Sequence, residues 1–295
     1  MPGAEVSLES AQSGREGGSR NLEREHFLGI AHAERDALGR TIQYAPPDRW
    51  DSMSRCPGWW NHDVLAHLAA QETSAAQVLA GETPAELDAF RKSLGDDPFS
   101  VDAFNAAAAG IRAELPPHQI AAEWGQGADR LLSLSTRAPE DAWRSKRYPW
   151  LAGDIPLRYL VQSRVVEWWL HGEDIRSGAG LDPHFVHPPI FLLNDLAIRM
   201  LPWALGRAGL SLPGRSVRID LTGAGAGSWH YGLAPHESPP EGKRPDVYIE
   251  GRGYRFALVA GRRVPAETYL RDGNLVVGGD EELGVAILTH IRAYA

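Results

Sequence analysis

The chain has 295 residues, 43% of them hydrophobic, enough for a packed core in one large domain or two of ordinary size. A formal charge of −8, a pI near 5.8 and the lack of any Lys/Arg run exclude nucleic acid as the main partner and favour a small-molecule ligand. A single cysteine, Cys56, excludes an internal disulfide framework, and no stretch reaches the ~18 uninterrupted apolar residues of a membrane span.

Residues 1–22 are rich in Gly, Ser and Glu, hold no secretory core and read as a disordered leader on a cytosolic protein. Phe27, Ile30, Ala31, Ala37, Leu38 and Ile42 then recur at helical spacing and predict a first helix over 23–44. Cys56, in the turn Cys56-Pro57-Gly58-Trp59, reads as an inert packed residue. A second helix is expected from Asn61 or Asp63, either of which suits the cap, to Gly81. Helical stretches follow over 98–115 and 116–137, and another runs from 156 to a stop at Gly178 or Gly180. Long amphipathic helices joined by modest loops predict an antiparallel bundle.

Past residue 180 the pattern changes. A Pro/His connection and an apolar helix over 189–206 precede short alternating segments at 216–222, 229–233 and 246–250. A helix over 251–259, a strand over 274–277 and a closing helix over 281–294 complete the prediction. The fold class is α+β: a helical bundle over 23–182, then a smaller domain over 183–295.

The chemistry concentrates in the helices. Glu167 and His171 form an E-x-x-x-H pair whose four-residue step puts both on one helical face. His67 sits among Val64, Leu65, Ala66 and Leu68, a context that aims its imidazole inward. Facing helices of a bundle can bring these three ligands to one point, and three protein ligands with an open position make a catalytic rather than a structural zinc pattern. Glu167 between Val166 and Trp168 would otherwise carry a heavy burial penalty. Asp174 reads either as an acceptor that orients His171 or as a solvated helix end. His62 falls on a different face from His67, and His184 and His187 read as linker surface. The Trp59-Trp60 and Trp168-Trp169 pairs suit packing or the lining of a cavity. Arg262-Arg263 reads as a solvated turn or as an anion-capturing fork. The glycine run 223–227 leads into no helix and predicts a hairpin turn rather than a phosphate loop.

The ordered set Cys56-Pro57-Gly58-Trp59, Val64-Leu65-Ala66-His67-Leu68 and Glu167-Trp168-Trp169-Leu170-His171-Gly172-Glu173-Asp174-Ile175 resembles the mycothiol-dependent maleylpyruvate isomerase family. The resemblance spans most of residues 24–295. It implies a DinB-like four-helix metal-binding bundle followed by a sterol-carrier-like α/β-sandwich domain. It implies a divalent metal, usually zinc, held by His67, Glu167 and His171, with water or the thiol of mycothiol in the open position. Ala260-Gly261-Arg262, ahead of Gly278-Gly279-Asp280, is similar to the family's Gly-Arg and Gly-Asp pair. That likeness implies Arg262 as the catalytic-site residue that holds a substrate or cofactor carboxylate.

A thiol is mostly protonated at neutral pH, and coordination to zinc removes that proton while leaving a nucleophilic sulfur. The expected function is thus thiol activation for attack on a small electrophilic substrate, either as a cis-trans isomerase or as an S-transferase. Expected partners are the small thiol and that substrate, with no nucleic acid and no membrane, in a cytoplasmic monomer or homodimer. Two rival readings are a carrier of an apolar ligand without catalysis and a metal-assisted hydrolase.

Overall fold

The structure is a computed structural model that describes residues 24–151 and 153–293; the expected leader lies outside them. They divide into two compact units, one ending at His184 and the other running from Phe185. Together they form an α+β protein, helical first and with a small sheet later. No helix among the described residues is long and apolar enough to cross a membrane.

In the first unit, α1 (Arg24–Tyr44), α2 (Asn61–Ala80), α5 (Pro117–Arg137) and α7 (Leu157–Ala179) are the long helices. α7 packs against both α1 and α2, and α5 closes the ring on the other side. α1 buries Phe27, Ala31, Ala37 and Leu38 of the predicted stripe, together with Leu28 and Glu34, while Ile30 and Ile42 are half-buried. α2 is buried almost all round because α4 (Val101–Gly110), α5 and α7 enclose it, and its many alanines permit their approach. Left-handed glycines end α2 at Gly81 and α7 at Gly180, with φ of 77° and 70°. The N-cap of α2 is Trp60, whose N–H donates to Asp63 Oδ2 at 2.9 Å; Asp63 therefore caps from inside the first turn.

The interval between α2 and α5 departs from expectation. One helix predicted over 98–115 is shorter, α4 (Val101–Gly110), because Ser100 Oγ accepts from the Ala103 N–H and sets the start. α3 (Ala85–Leu94) was not expected. Leu87 is its one buried residue among those described, so it shows little apolar stripe. After α6 (Glu140–Arg144), a hairpin of β1 (Arg147–Trp150) and β2 (Gly153–Pro156) leads into α7, with Arg147 opposite Pro156. Four-residue strands containing prolines carry too little alternation to be legible.

In the second unit α8 (His187–Arg199) and α9 (Leu201–Arg207) replace the single helix predicted over 189–206. Pro202 in the first turn of α9 has no N–H to continue the α8 ladder, so the break falls at Met200. β3 (Ser216–Thr222), β4 (Gly227–Gly232), β5 (Val247–Arg252) and β6 (Leu275–Gly279) form a mixed sheet in the order β4-β3-β5-β6. β3 runs parallel to β5, and both outer pairs are antiparallel. Val217, Ile219, Val247, Ile249 and Leu275 make the buried face. α10 (Gly253–Ala260) and α12 (Glu281–His290) pack on this sheet, and α11 (Ala266–Arg271) joins α10 to β6. α12 stops at His290 rather than at 294.

Candidate metal centre

Adjacent helices α2 and α7 bring together the three residues that the sequence singled out. His67 Nε2 lies 3.1 Å from Glu167 Oε2, and His171 Nε2 lies 3.2 Å from the same oxygen. The two imidazole rings meet edge to face with centroids 4.9 Å apart. One potential ligand atom from each residue falls within 4.8 Å of the others. His67 and His171 are buried and Glu167 is nearly so, with side-chain exposures of 6%, 9% and 13%. The neighbouring pair in sequence and the residue 100 positions away thus share one interior face.

Charge settles unevenly over this cluster. Burial pushes His67 down to about 4 despite its hydrogen bond with Glu167, so its ring is neutral at neutral pH. Burial acts on His171 in the same direction, but hydrogen bonds to Asp174 and Glu167 outweigh it and hold that ring above its ordinary value. Glu167 would be raised by burial, yet both imidazoles and the Arg164 charge keep it well below the usual carboxylate range. Asp174 is wholly buried and lies 2.9 Å from His171 Nδ1. Of its two sequence readings, the acceptor that orients His171 is the one realised.

Three further groups border the cluster. Arg164, one turn before Glu167, places Nη2 3.4 Å from Glu167 Oε2 and Nε 3.6 Å from Glu72 Oε1. Glu72 is fully buried and accepts from Trp168 Nε1 at 2.8 Å; burial pushes it up to about 7, against the opposing pull of Arg164 and Trp168. Cys56, read as inert from sequence, sits with His171 and Asp174 so that one ligand-type atom of each lies within 4.8 Å of the others. The loop before α2 reaches this position because the Arg55 N–H bonds Asp174 O at 3.3 Å and Trp59 packs edge-on against His67 at 5.3 Å. The i, i+3 step from Arg164 to Glu167 was a usable signal for the first of these groups. Cys56 and Glu72 had none, since their positions depend on a loop and on interhelical packing.

The remaining expected residues have surroundings of their own. His62 Nε2 meets Leu115 O at 2.9 Å and ties the start of α2 to the turn before α5. His184, read as linker surface, is tethered: its N–H donates to Glu173 Oε1 at 2.8 Å and its carbonyl accepts from Trp169 Nε1 at 3.1 Å. His187 opens α8 and stacks on Phe191. The run 223–227 is a hairpin turn between β3 and β4, closed by the Ala226 N–H on Gly223 O at 3.0 Å. Arg262 belongs to the second unit. It is exposed, takes a left-handed φ of 62° just after α10, and donates from Nη1 to Thr289 O at 2.8 Å.

The donor set fits a divalent cation of borderline softness. Two imidazoles and one carboxylate converge, and a buried carboxylate grips the far nitrogen of one ring. His67 Nδ1 has no hydrogen-bond partner among the described residues.

Residues 31–176 match the family model described as the mycothiol maleylpyruvate isomerase N-terminal domain. Solved structures of the mycothiol-dependent maleylpyruvate isomerase and of a histidine-to-alanine variant of it are similar in fold. Each has a TM-score of 0.61 and 18% identity, over 88% of this chain and 94% of the other. No curated protein matches the chain in sequence. Residues 31–176 thus carry the N-terminal domain of the mycothiol maleylpyruvate isomerase family.

Proposed function

We propose that the protein is a cytoplasmic, divalent-metal- and mycothiol-dependent enzyme that activates the thiol for attack on a small electrophile. His67, Glu167 and His171 would hold the cation, zinc by preference. The observation that carries this reading is the convergence of both Nε2 atoms on Glu167 Oε2 inside a domain of this family. The two solved structures, named for the isomerase that uses mycothiol, support the same substrate class. In this reading the bundle over 23–182 is the DinB-like metal-binding domain, and residues 183–295 form the sterol-carrier-like domain of a monomer or homodimer.

A bound divalent cation would supply the proton loss that a thiol of pKa ~8.5 does not undergo alone near neutrality. Two neutral imidazoles and one carboxylate leave a net charge that attracts a thiolate without locking it as several cysteines would. The chain's own residues prepare this. The depressed His67 is neutral and ready to donate a lone pair. Glu167 stays ionised, and Asp174 fixes the tautomer and tilt of His171. Arg262 presents an exposed guanidinium fork suited to a substrate or thiol carboxylate.

Isomerisation of a maleylpyruvate-like substrate and transfer of mycothiol sulfur differ in the fate of that sulfur. The test is incubation of the zinc-loaded protein with mycothiol and maleylpyruvate, and separately with an S-conjugated metabolite. Isomer formed with the thiol returned supports the first, and sulfur retained in the product supports the second. Turnover of an ester or amide without thiol, or purification with a lipid and no metal, would overturn the proposal.

A further inference from the structure

One turn before the candidate ligand carboxylate, α7 carries a guanidinium that lies between two carboxylates. Arg164 Nη2 is 3.4 Å from Glu167 Oε2, and Arg164 Nε is 3.6 Å from Glu72 Oε1. The Arg164 side chain is 3% exposed and that of Glu72 0%, and Trp150 lies over the guanidinium at 5.5 Å. Neither contact is a close fork. Arg164 Nε and Glu72 Oε2 have no hydrogen-bond partner among the described residues, so this group is poorly optimised for stability. Apolar residues of similar volume would commonly serve a fold as well as a buried ion pair does. A role at the neighbouring centre accounts for keeping it.

That role follows from what ligation demands. An imidazole gives a cation its lone pair, so both Nε2 atoms must release their contact with Glu167 Oε2 when a cation enters. Among the described residues, Arg164 is then the side chain still holding the carboxylate. Its positive charge beside a divalent cation would be repulsive if nothing offset it, and Glu72 stands on its far side. We infer that Arg164 is a positioning residue that holds Glu167 in its ligating orientation, with Glu72 as the counter-charge that lets the cation bind beside it. This rests on the metal-centre reading proposed above.

The test uses the full chain as wild type, Glu72→Gln, Arg164→Lys and the double variant Glu72→Gln/Arg164→Met. The double variant leaves no buried charge unpaired and so guards against simple misfolding. Zinc affinity is measured at pH 8, above the value of about 7 to which burial pushes Glu72, by competition with a chromophoric chelator, and coordination by the visible spectrum of the cobalt(II) form. Glu72→Gln is expected to lose about tenfold or more in zinc affinity. The double variant regains most of that affinity but shows a changed cobalt band, because its Glu167 is no longer held. Arg164→Lys retains the wild-type band. A purely structural role would lower Tm while leaving affinity and spectrum unchanged, and that result would overturn the inference. Wild type that binds no zinc, or His67→Ala that binds as much, would instead remove the metal-centre reading on which it stands.

Discussion

His171 Nδ1 lies 2.9 Å from Asp174 Oδ2, inside a helix interface where the Asp174 side chain has no exposure at all. An ionised carboxylate only accepts hydrogen bonds, so Nδ1 keeps its proton toward Asp174 and Nε2, which faces Glu167, is the nitrogen that gives up its proton to a cation. Asp174→Asn removes that constraint with little change of volume. Zinc affinity, read by chelator competition, should fall about 10- to 100-fold. An unchanged affinity would show that Asp174 serves packing alone.

Cation entry should release a proton from one histidine and not from the other. His67 is held near 4 and is already neutral, whereas His171 is held above its ordinary value and keeps its proton in the metal-free protein. In Glu72→Gln, which removes a further titrating group, calorimetry in buffers of different ionisation enthalpy should register about one proton released per zinc near pH 5.5. Release should fade as the pH rises past the His171 value. Release of two protons, or of none at any pH, contradicts this division of charge.

Glu72 gives the metal-free fold a pH dependence of known sign. Its folded value of about 7 exceeds the ordinary 4.5, so its contribution is fully present below 4.5 and lost as pH rises through 7. Relative to wild type, the Glu72→Gln protein should therefore gain about 3 kcal/mol in urea unfolding between pH 4 and pH 8. Parallel stability curves for the two proteins would mean that burial does not raise Glu72.

Gly178 is where the loop before α2 lies against α7. A Cβ there would stand 2.5 Å from Asn61 Oδ1 and 2.7 Å from the Met53 carbonyl oxygen. Gly178→Ala should cost about 1–3 kcal/mol in denaturant unfolding and loosen the loop that carries Cys56 and Trp59. Wild-type stability would mean that the loop gives way without strain.

Much of the bundle and of the candidate centre could be read from the chain because both depend on local spacing. The i, i+4 step of Glu167 and His171, the apolar surroundings of His67 and the left-handed glycines after α2 and α7 are properties of single helices. α3 and the β1/β2 hairpin were missed because they bury few side chains and so carry no strong period. The α8/α9 break at Met200 turns on one missing proline donor inside an otherwise continuous apolar stretch. The surroundings of Glu72 and Cys56 were not legible for another reason. A fully buried glutamate among alanines looks like a solvated residue until α5 and α7 enclose it, and a turn cysteine acquires neighbours only when its loop folds back onto α7.

The most direct test compares the metal content of wild type, His67→Ala and Glu167→Ala, each followed by a thermal scan with and without mycothiol. Wild type should carry about one zinc per chain, with a Tm raised by the thiol, while both variants lose most of the metal and the shift. Equal metal in all three proteins, with the same response to mycothiol, would contradict a centre built by His67, Glu167 and His171.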